Sequence, residues 1–182
     1  MLYFFIIFYL FFFILFYYFL TLNNEIYIIE DIFDIEYIKK IVNPIHMIEY
    51  NDKFYSILKK EDYQELYKII YENNILKKYI KENFNKELKY PSYPIEYRLY
   101  KKGCKGMYWH QDKSILNKTY LECILVLHND SNSHFTYYKN YKIHTYYQKM
   151  GSLILLYPCD IIHSIEPFTY GSKKILKFII EL

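Results

Sequence analysis

His110-Gln111-Asp112, a distant His163 and then Lys173 are the residues whose types and spacing could support metal chemistry in this chain of 182 residues. In an extended strand residues two apart share a face, so His110 and Asp112 can present an imidazole and a carboxylate to one ion. His163, from a distant strand, closes a facial set of two nitrogens and one oxygen, which holds iron(II) and leaves adjacent coordination positions open. A chelating 2-oxo acid can fill two of these and dioxygen another. A 2-oxo dicarboxylate also needs a cation for its far end, buried enough to be selective and paired so that burial is tolerable. Lys173, ten residues after His163 and entering the last strand, is placed for that role.

Each residue has a plainer reading. A lone histidine in a half-buried strand is usually a hydrogen-bonded structural residue, and an isolated His-x-Asp arises by chance in chains of this length. Lys173 alone would be one surface lysine among 22. Their combination at fitting distances inside a strand-rich half favours a metal site. His46, His128, His134 and His144 read as structural or surface residues. Lys177 shares a strand face with Lys173 by alternation; it is a less favoured rival for the carboxylate and is expected at the strand's far end. Trp109, the single tryptophan, reads equally as a wall of the pocket mouth or as packing. Cys104 and Cys159 lie near the motifs and receive no role.

These residues need elements to position them. Residues 25–29 read as a strand, and Asp34 as the cap of a helix whose apolar positions Ile35, Ile38, Ile41 and Val42 recur at helical spacing until Pro44. Helical stretches at 60–71 and 74–84 follow, the first with Leu66, Ile69 and Ile70 toward one side. All four glycines, Gly103, Gly106, Gly151 and Gly171, fall after Pro91. There the pattern changes to strand-like runs at 93–100, 120–127, 134–138, 141–147, 152–156 and 173–180, separated by turn residues. Short strands at this spacing suggest a sandwich or barrel. Helices followed by strands give an α+β domain with helices packed on one sheet.

The segment 94–182 resembles the catalytic core of the iron(II)- and 2-oxoglutarate-dependent dioxygenases, particularly the prolyl hydroxylase-like branch. The family's His-x-Asp, distal His and basic residue are matched by His110, Asp112, His163 and Lys173. The stretch His163-Ser-Ile-Glu-Pro167-Phe-Thr-Tyr-Gly171-Ser-Lys173 follows its His, Pro, Gly, basic-residue cadence. Tyr100-Lys-Lys-Gly103 is similar to a Tyr-x-x-Gly that supplies a tyrosine to the 2-oxoglutarate carboxylate in prolyl hydroxylases, with one extra residue here before His110.

The resemblance implies a double-stranded β-helix, or jelly-roll, core at 91–182, preceded by a helical part of the same catalytic domain at 23–90. It implies His110, Asp112 and His163 as Fe(II) ligands, with Lys173 and Tyr100 binding 2-oxoglutarate and ascorbate as an optional accessory. It also implies oxidative decarboxylation of 2-oxoglutarate to succinate and carbon dioxide, coupled to hydroxylation of a protein side chain, proline first and lysine second. A lysine ammonium is a point charge, so it would pair with one carboxylate oxygen and leave the other to a hydroxyl such as that of Tyr100.

Three rivals stand beside this reading. A nucleic-acid demethylase of the same superfamily would carry a second arginine where this chain has Ile179. A zinc hydrolase would leave the Gly171-x-Lys173 cadence unexplained. A non-catalytic membrane-anchored jelly-roll interaction protein would have no reason to keep all three ligands.

Composition bounds the rest. The net charge is only +3 and lysines alternate with Asp and Glu, so no electrostatic footprint for nucleic acid stands out. With 53% hydrophobic residues, four glycines and three cysteines, the chain is not disordered, collagen-like or a disulfide scaffold. The cysteines are odd in number and lack CxxC spacing, so they specify neither a zinc site nor a redox compartment. Residues 1–20 hold eight of the fourteen Phe and no charge. That run matches a bilayer core of roughly 30 Å, so 1–22 is expected to be a transmembrane signal anchor. A cleaved signal would want a basic start and a small-residue cleavage site. The resemblance favours a catalytic domain facing the secretory lumen. The sequons Asn117-Lys-Thr119 and Asn129-Asp-Ser131, both expected in loops, offer a topology test.

Overall fold

The computed structural model describes residues 25–44, 46–50 and 53–182. The anchor expected at 1–22 lies outside these, and among the described residues no helix is long and apolar enough to cross a membrane. The elements run β1 (Ile26–Ile29), α1 (Ile35–Ile41), β2 (Ile48–Tyr50), β3 (Lys53–Leu58), α2 (Gln64–Tyr71), α3 (Asn74–Phe84), β4 (Ile95–Lys101), β5 (Met107–His110) and β6 (Tyr120–Asn129). They continue with β7 (Phe135–Lys139), β8 (Lys142–Tyr146), β9 (Leu153–Leu156), β10 (His163–Ile165) and β11 (Ser172–Glu181).

Local chemistry sets the helix starts. Asp34 caps α1 by accepting from the Tyr37 amide, and Asn73 caps α3 by accepting from the Leu76 amide, each satisfying one of the unpaired donors of a first turn. Helix α2 begins later than its apolar spacing suggests, because the Lys59 carbonyl accepts from the Asp62 and Tyr63 amides and forms a separate turn. Its tyrosines tie it to the sheet: the Tyr67 hydroxyl donates to the Leu58 carbonyl and accepts from the Ile95 amide, while the Tyr71 hydroxyl donates to the Ile179 carbonyl.

The strands form two antiparallel sheets, a seven-stranded one in the order β1-β9-β6-β11-β4-β3-β2 and a four-stranded one in the order β5-β10-β7-β8. The larger sheet is buried on both faces. Leu121, Cys123, Leu125, Leu153, Leu155, Leu176, Phe178 and Ile180 pack against the helices through Ile38, Leu66, Ile70, Leu76 and Ile80. The alternate residues Ile124, Val126, Ile154, Leu156 and Ile175 face the smaller sheet and meet Phe135, Ile161, Ile165 and Phe168. This is the expected α+β jelly-roll with helices on one sheet.

Strand β1 is the strand expected at 25–29, whereas β2 and β3 come from the part expected to be helical, and the three extend the larger sheet at both edges. Strands β5 and β10 are four and three residues long, too short for alternation to announce them. The three cysteines are not bonded to one another. Asn129 is the last residue of β6 rather than a loop residue, and its side chain bonds the Gln148 carbonyl and Ser131.

Two glycines allow close approaches beside the motifs. A Cβ at Gly106 (φ +73) would collide with the Ile165 carbonyl of β10, and one at Gly171 (φ +69) with the Asp130 carbonyl. The second contact seats the start of β11, where the Ser172 amide donates to Asp130 Oδ1 at 2.6 Å. Gly171→Ala is expected to cost more than about 1 kcal/mol, since it adds a clash to a left-handed backbone. Urea unfolding of the variant checks it.

Candidate metal centre

His110 ends β5 and His163 opens β10, and the two residues stand opposite each other in the antiparallel register. Their rings lie 4.4 Å apart between centroids. Asp112, two residues past His110, brings one carboxylate oxygen to 3.6 Å from His110 Nε2 and the other to 3.7 Å from His163 Nε2. One donor atom from each of the three residues lies within 4.8 Å of the others. The loop carrying Asp112 is tied down: the Cys159 amide donates to the Asp112 carbonyl, and Gln111 Nε2 donates to the Cys159 carbonyl.

The outer nitrogens fix which ring atoms are free. His110 Nδ1 sits 2.6 Å from the Tyr108 carbonyl and His163 Nδ1 3.2 Å from the Ile161 carbonyl. A carbonyl can only accept, so each Nδ1 carries the proton and each neutral ring keeps its Nε2 lone pair for an ion. Burial lowers the His163 pKa and favours that neutral form, with Asp112 opposing. Burial resists ionisation of Asp112, but Lys177, a hydrogen bond with Glu122, His163 and His110 together hold its carboxyl below the usual range. Two imidazole Nε2 atoms and one carboxylate therefore converge, and this donor set fits a divalent transition metal with open positions, as in non-haem iron(II) sites.

Lys173 is 2% exposed. Its Nζ donates to Gln148 Oε1 at 2.6 Å and lies 5.1 Å and 5.6 Å from the ring centroids of Phe168 and Tyr100. Among the described residues it has no carboxylate partner, and burial pushes its pKa down to about 7. Tyr100 is its cross-strand neighbour on β4. The Tyr100 ring stacks on Phe168, with centroids 5.5 Å apart, and its hydroxyl bonds Arg98. Lys173, Tyr100, Gln148, Asp112 and His163 line one cavity of about 150 Å³.

The expectation for Lys177 is corrected. Instead of sitting at the strand's far end, its Nζ reaches 3.8 Å from Asp112 Oδ2 and forms an ion pair with Glu122. The strand is long enough that both lysines on its inner face reach the cavity from different ends. Glu122 itself escaped sequence reasoning. Burial pushes its carboxyl up to about 7, with Lys177 opposing and Asp112 adding to the rise. The available signal was a lone acid inside the apolar run Tyr120–Leu127, where a charge requires a partner. Trp109 is 47% exposed and does not line the cavity. His128 and His134 lie beside Asp130 and Glu166, and His144 stacks on Tyr137, all away from the triad.

No protein-family model matches the chain, and no curated protein matches it. Solved structures do. A 2OG-Fe(II) oxygenase family oxidoreductase from Burkholderia pseudomallei aligns with a TM-score of 0.70 at 9% identity, over 86% of this chain and 82% of that one. HygX from Streptomyces hygroscopicus, with nickel and 2-oxoglutarate bound, aligns with a TM-score of 0.66 at 10% identity, over 87% and 83%. A prolyl hydroxylase from Trichoplax adhaerens, in complex with a hypoxia inducible factor peptide fragment, aligns with a TM-score of 0.62 at 10% identity, over 88% and 84%. The chain has the fold of the 2OG-Fe(II) oxygenases.

Two outcomes follow from this geometry. Asp112→Ala and His163→Ala should each weaken Ni(II) binding by more than the roughly 10–100-fold that outer-shell changes cost, as measured by calorimetry. Between about pH 7 and 10.5 the unfolded chain holds a proton on Lys173 that the folded chain lacks. Apoprotein stability therefore gains a contribution as pH rises through that window, and the penalty is fully present below it. Lys173→Met should flatten this part of the slope in melting curves recorded against pH.

Proposed function

We propose that the protein is an iron(II)- and 2-oxoglutarate-dependent dioxygenase that hydroxylates a protein side chain, with proline as the first candidate and lysine as the second. The observation that carries the reading is a His-Asp-His donor set, of which Asp112 and His163 line one cavity, together with a buried lysine in that cavity that has no carboxylate partner among the described residues. A buried ammonium without a countercharge is costly, and a dicarboxylate that chelates at one end and reaches Lys173 with the other removes that cost.

His110, Asp112 and His163 would hold the iron. Bound iron with 2-oxoglutarate supplies dioxygen activation, yielding succinate, carbon dioxide and an oxygen atom for a substrate C–H bond. The chain's own groups do the rest. Lys173 donates to the far carboxylate, and Tyr100, its neighbour across the strand pair, is within the same cavity to offer its hydroxyl. Gln148 orients the ammonium through its side-chain oxygen. Phe135, Ile165 and Ile175 supply apolar wall that keeps water out. Likeness to a peptide-bound prolyl hydroxylase supports a peptide substrate. The uncharged apolar run 1–20 supports a membrane-tethered enzyme, with a lumenal catalytic domain as its orientation. Asn117 is exposed and is the sequon on which a glycan would report that orientation.

The test is succinate formation by the full chain, supplied with Fe(II), 2-oxoglutarate and ascorbate and a proline-containing peptide library. Wild type should form succinate and add 16 Da to a peptide. Lys173→Met should raise the KM for 2-oxoglutarate at least about tenfold, the scale of one lost charge-assisted contact, and His163→Ala should abolish turnover. Undiminished turnover in His163→Ala would sink the assignment.

A further inference from the structure

The cavity contains four basic side chains, Lys53, Arg98, Lys173 and Lys177, and its own acids account for only two of them. Arg98 Nε donates to Glu96 Oε2 at 2.8 Å, and Lys177 pairs with Glu122 beside Asp112. Lys173 rests on the neutral Gln148. Lys53 is half-buried at the start of β3 and, among the described residues, makes no hydrogen bond and no ion pair. Burial lowers its pKa, and Arg98 and Lys177 add to that effect while Glu96 opposes it. The cations that act on Lys53 are thus Arg98 and Lys177, with Glu96 and Cys104 opposing them, and Lys177 is the lysine that touches Asp112.

Register separates these two cations, neither of which has a carboxylate partner among the described residues. Lys53, Tyr100 and Lys173 form one row across β3, β4 and β11, so the Cα atoms of the two lysines stand about 10 Å apart, twice the strand spacing. Tyr100 stands between them. Lys173 and Lys53 therefore mark two anion positions, the first deep against Gln148 and Phe168, the second across Tyr100 on β3, in the cavity that Asp112 and His163 also line. In the dioxygenase reading, on which this inference rests, the cosubstrate's far carboxylate takes the first. Asp112 belongs to the metal, and Glu96 and Glu122 are taken.

We infer that the primary substrate is an acidic peptide segment, and that Lys53 binds a carboxylate adjacent to the residue that is hydroxylated. A side-chain carboxylate fits this position because it supplies the missing countercharge without displacing either internal pair. A neutral substrate would fill the cavity without giving Lys53 a countercharge.

The test uses the full chain loaded with redox-inert Zn(II) and 2-oxoglutarate, titrated calorimetrically with two probe peptides that differ only in Glu-Pro-Glu against Gln-Pro-Gln. The Glu peptide should bind about tenfold tighter, near the lower end for a hydrogen bond to a charged group. Lys53→Arg should keep the preference, Lys53→Met should erase it, and Lys53→Glu should reverse it in favour of a Lys-Pro-Lys peptide. Equal binding of the Glu and Gln peptides, absence of binding by both, or a preference that survives Lys53→Met would each overturn the inference. So would a Lys53→Met loss of 2-oxoglutarate affinity, which would put Lys53 in the cosubstrate position. Succinate formation by the Fe(II) form, measured alongside, keeps the two readings apart. Its absence under every condition sinks the dioxygenase reading, while the peptide titration still decides whether Lys53 selects a carboxylate.

Discussion

Strand β11 has to satisfy two incompatible environments, and the register that lets it do so governs the rest of the molecule. Leu176, Phe178 and Ile180 enter the core beneath the helices, while Lys173, Ile175 and Lys177 enter the cavity. A slip of one residue would exchange the two sets, burying ammonium groups among leucines. The strand is held against that slip by long ladders to β4 on one side and β6 on the other, and by the Gly171–Asp130 contact at its start. A register shift against β6 between Lys174 and Ile175 adjusts the pairing in the middle without disturbing the inward lysines.

Charge inside the sandwich is tolerated by pairing where carboxyl groups are within reach. Glu96 serves Arg98, and Glu122 serves Lys177. Lys173 receives only an amide oxygen and two aromatic faces, contacts that orient an ammonium but offset little of its desolvation. An apolar residue of similar size would make a more stable fold there. Keeping a lysine at that place makes sense for binding, where an incoming anion gains from a donor already stripped of water and aimed.

Much of this was legible in the residues. The spacing of His110, Asp112 and His163 pointed to residues that do converge, although Asp112 lies in the loop after β5 rather than in a strand; Lys173, ten residues after His163, lines the same cavity, and α1 was announced by Asp34 and its apolar period. What escaped did so for physical reasons. Strands β5 and β10 are shorter than the two or three alternations that reveal a strand, although they carry both histidines. Strand β3 follows the turn formers Asn51-Asp52, a signal passed over because only a single short strand-like run stands on either side, and its pairing with β4 is set by tertiary contact rather than by local preference. The partners of Lys177 and Glu122 depend on which strands become neighbours, and a chain rich in lysine gives no hint of which lysine is turned inward. Tyr67 and Tyr71 carry structural roles that composition does not announce, since their hydroxyls bridge α2 to the sheet.

His110 and His163 belong to the smaller sheet, and Lys173 and Tyr100, which line the same cavity as His163, to the larger one. A ligand that engages both ends of the cavity is therefore a rivet through the sandwich. Any substitution that thickens or thins the layer of Phe135, Ile165 and Ile175 between the sheets changes the length the rivet must have, so distant packing is read out as ligand affinity. By the same linkage, filling the cavity tightens the whole fold rather than one loop.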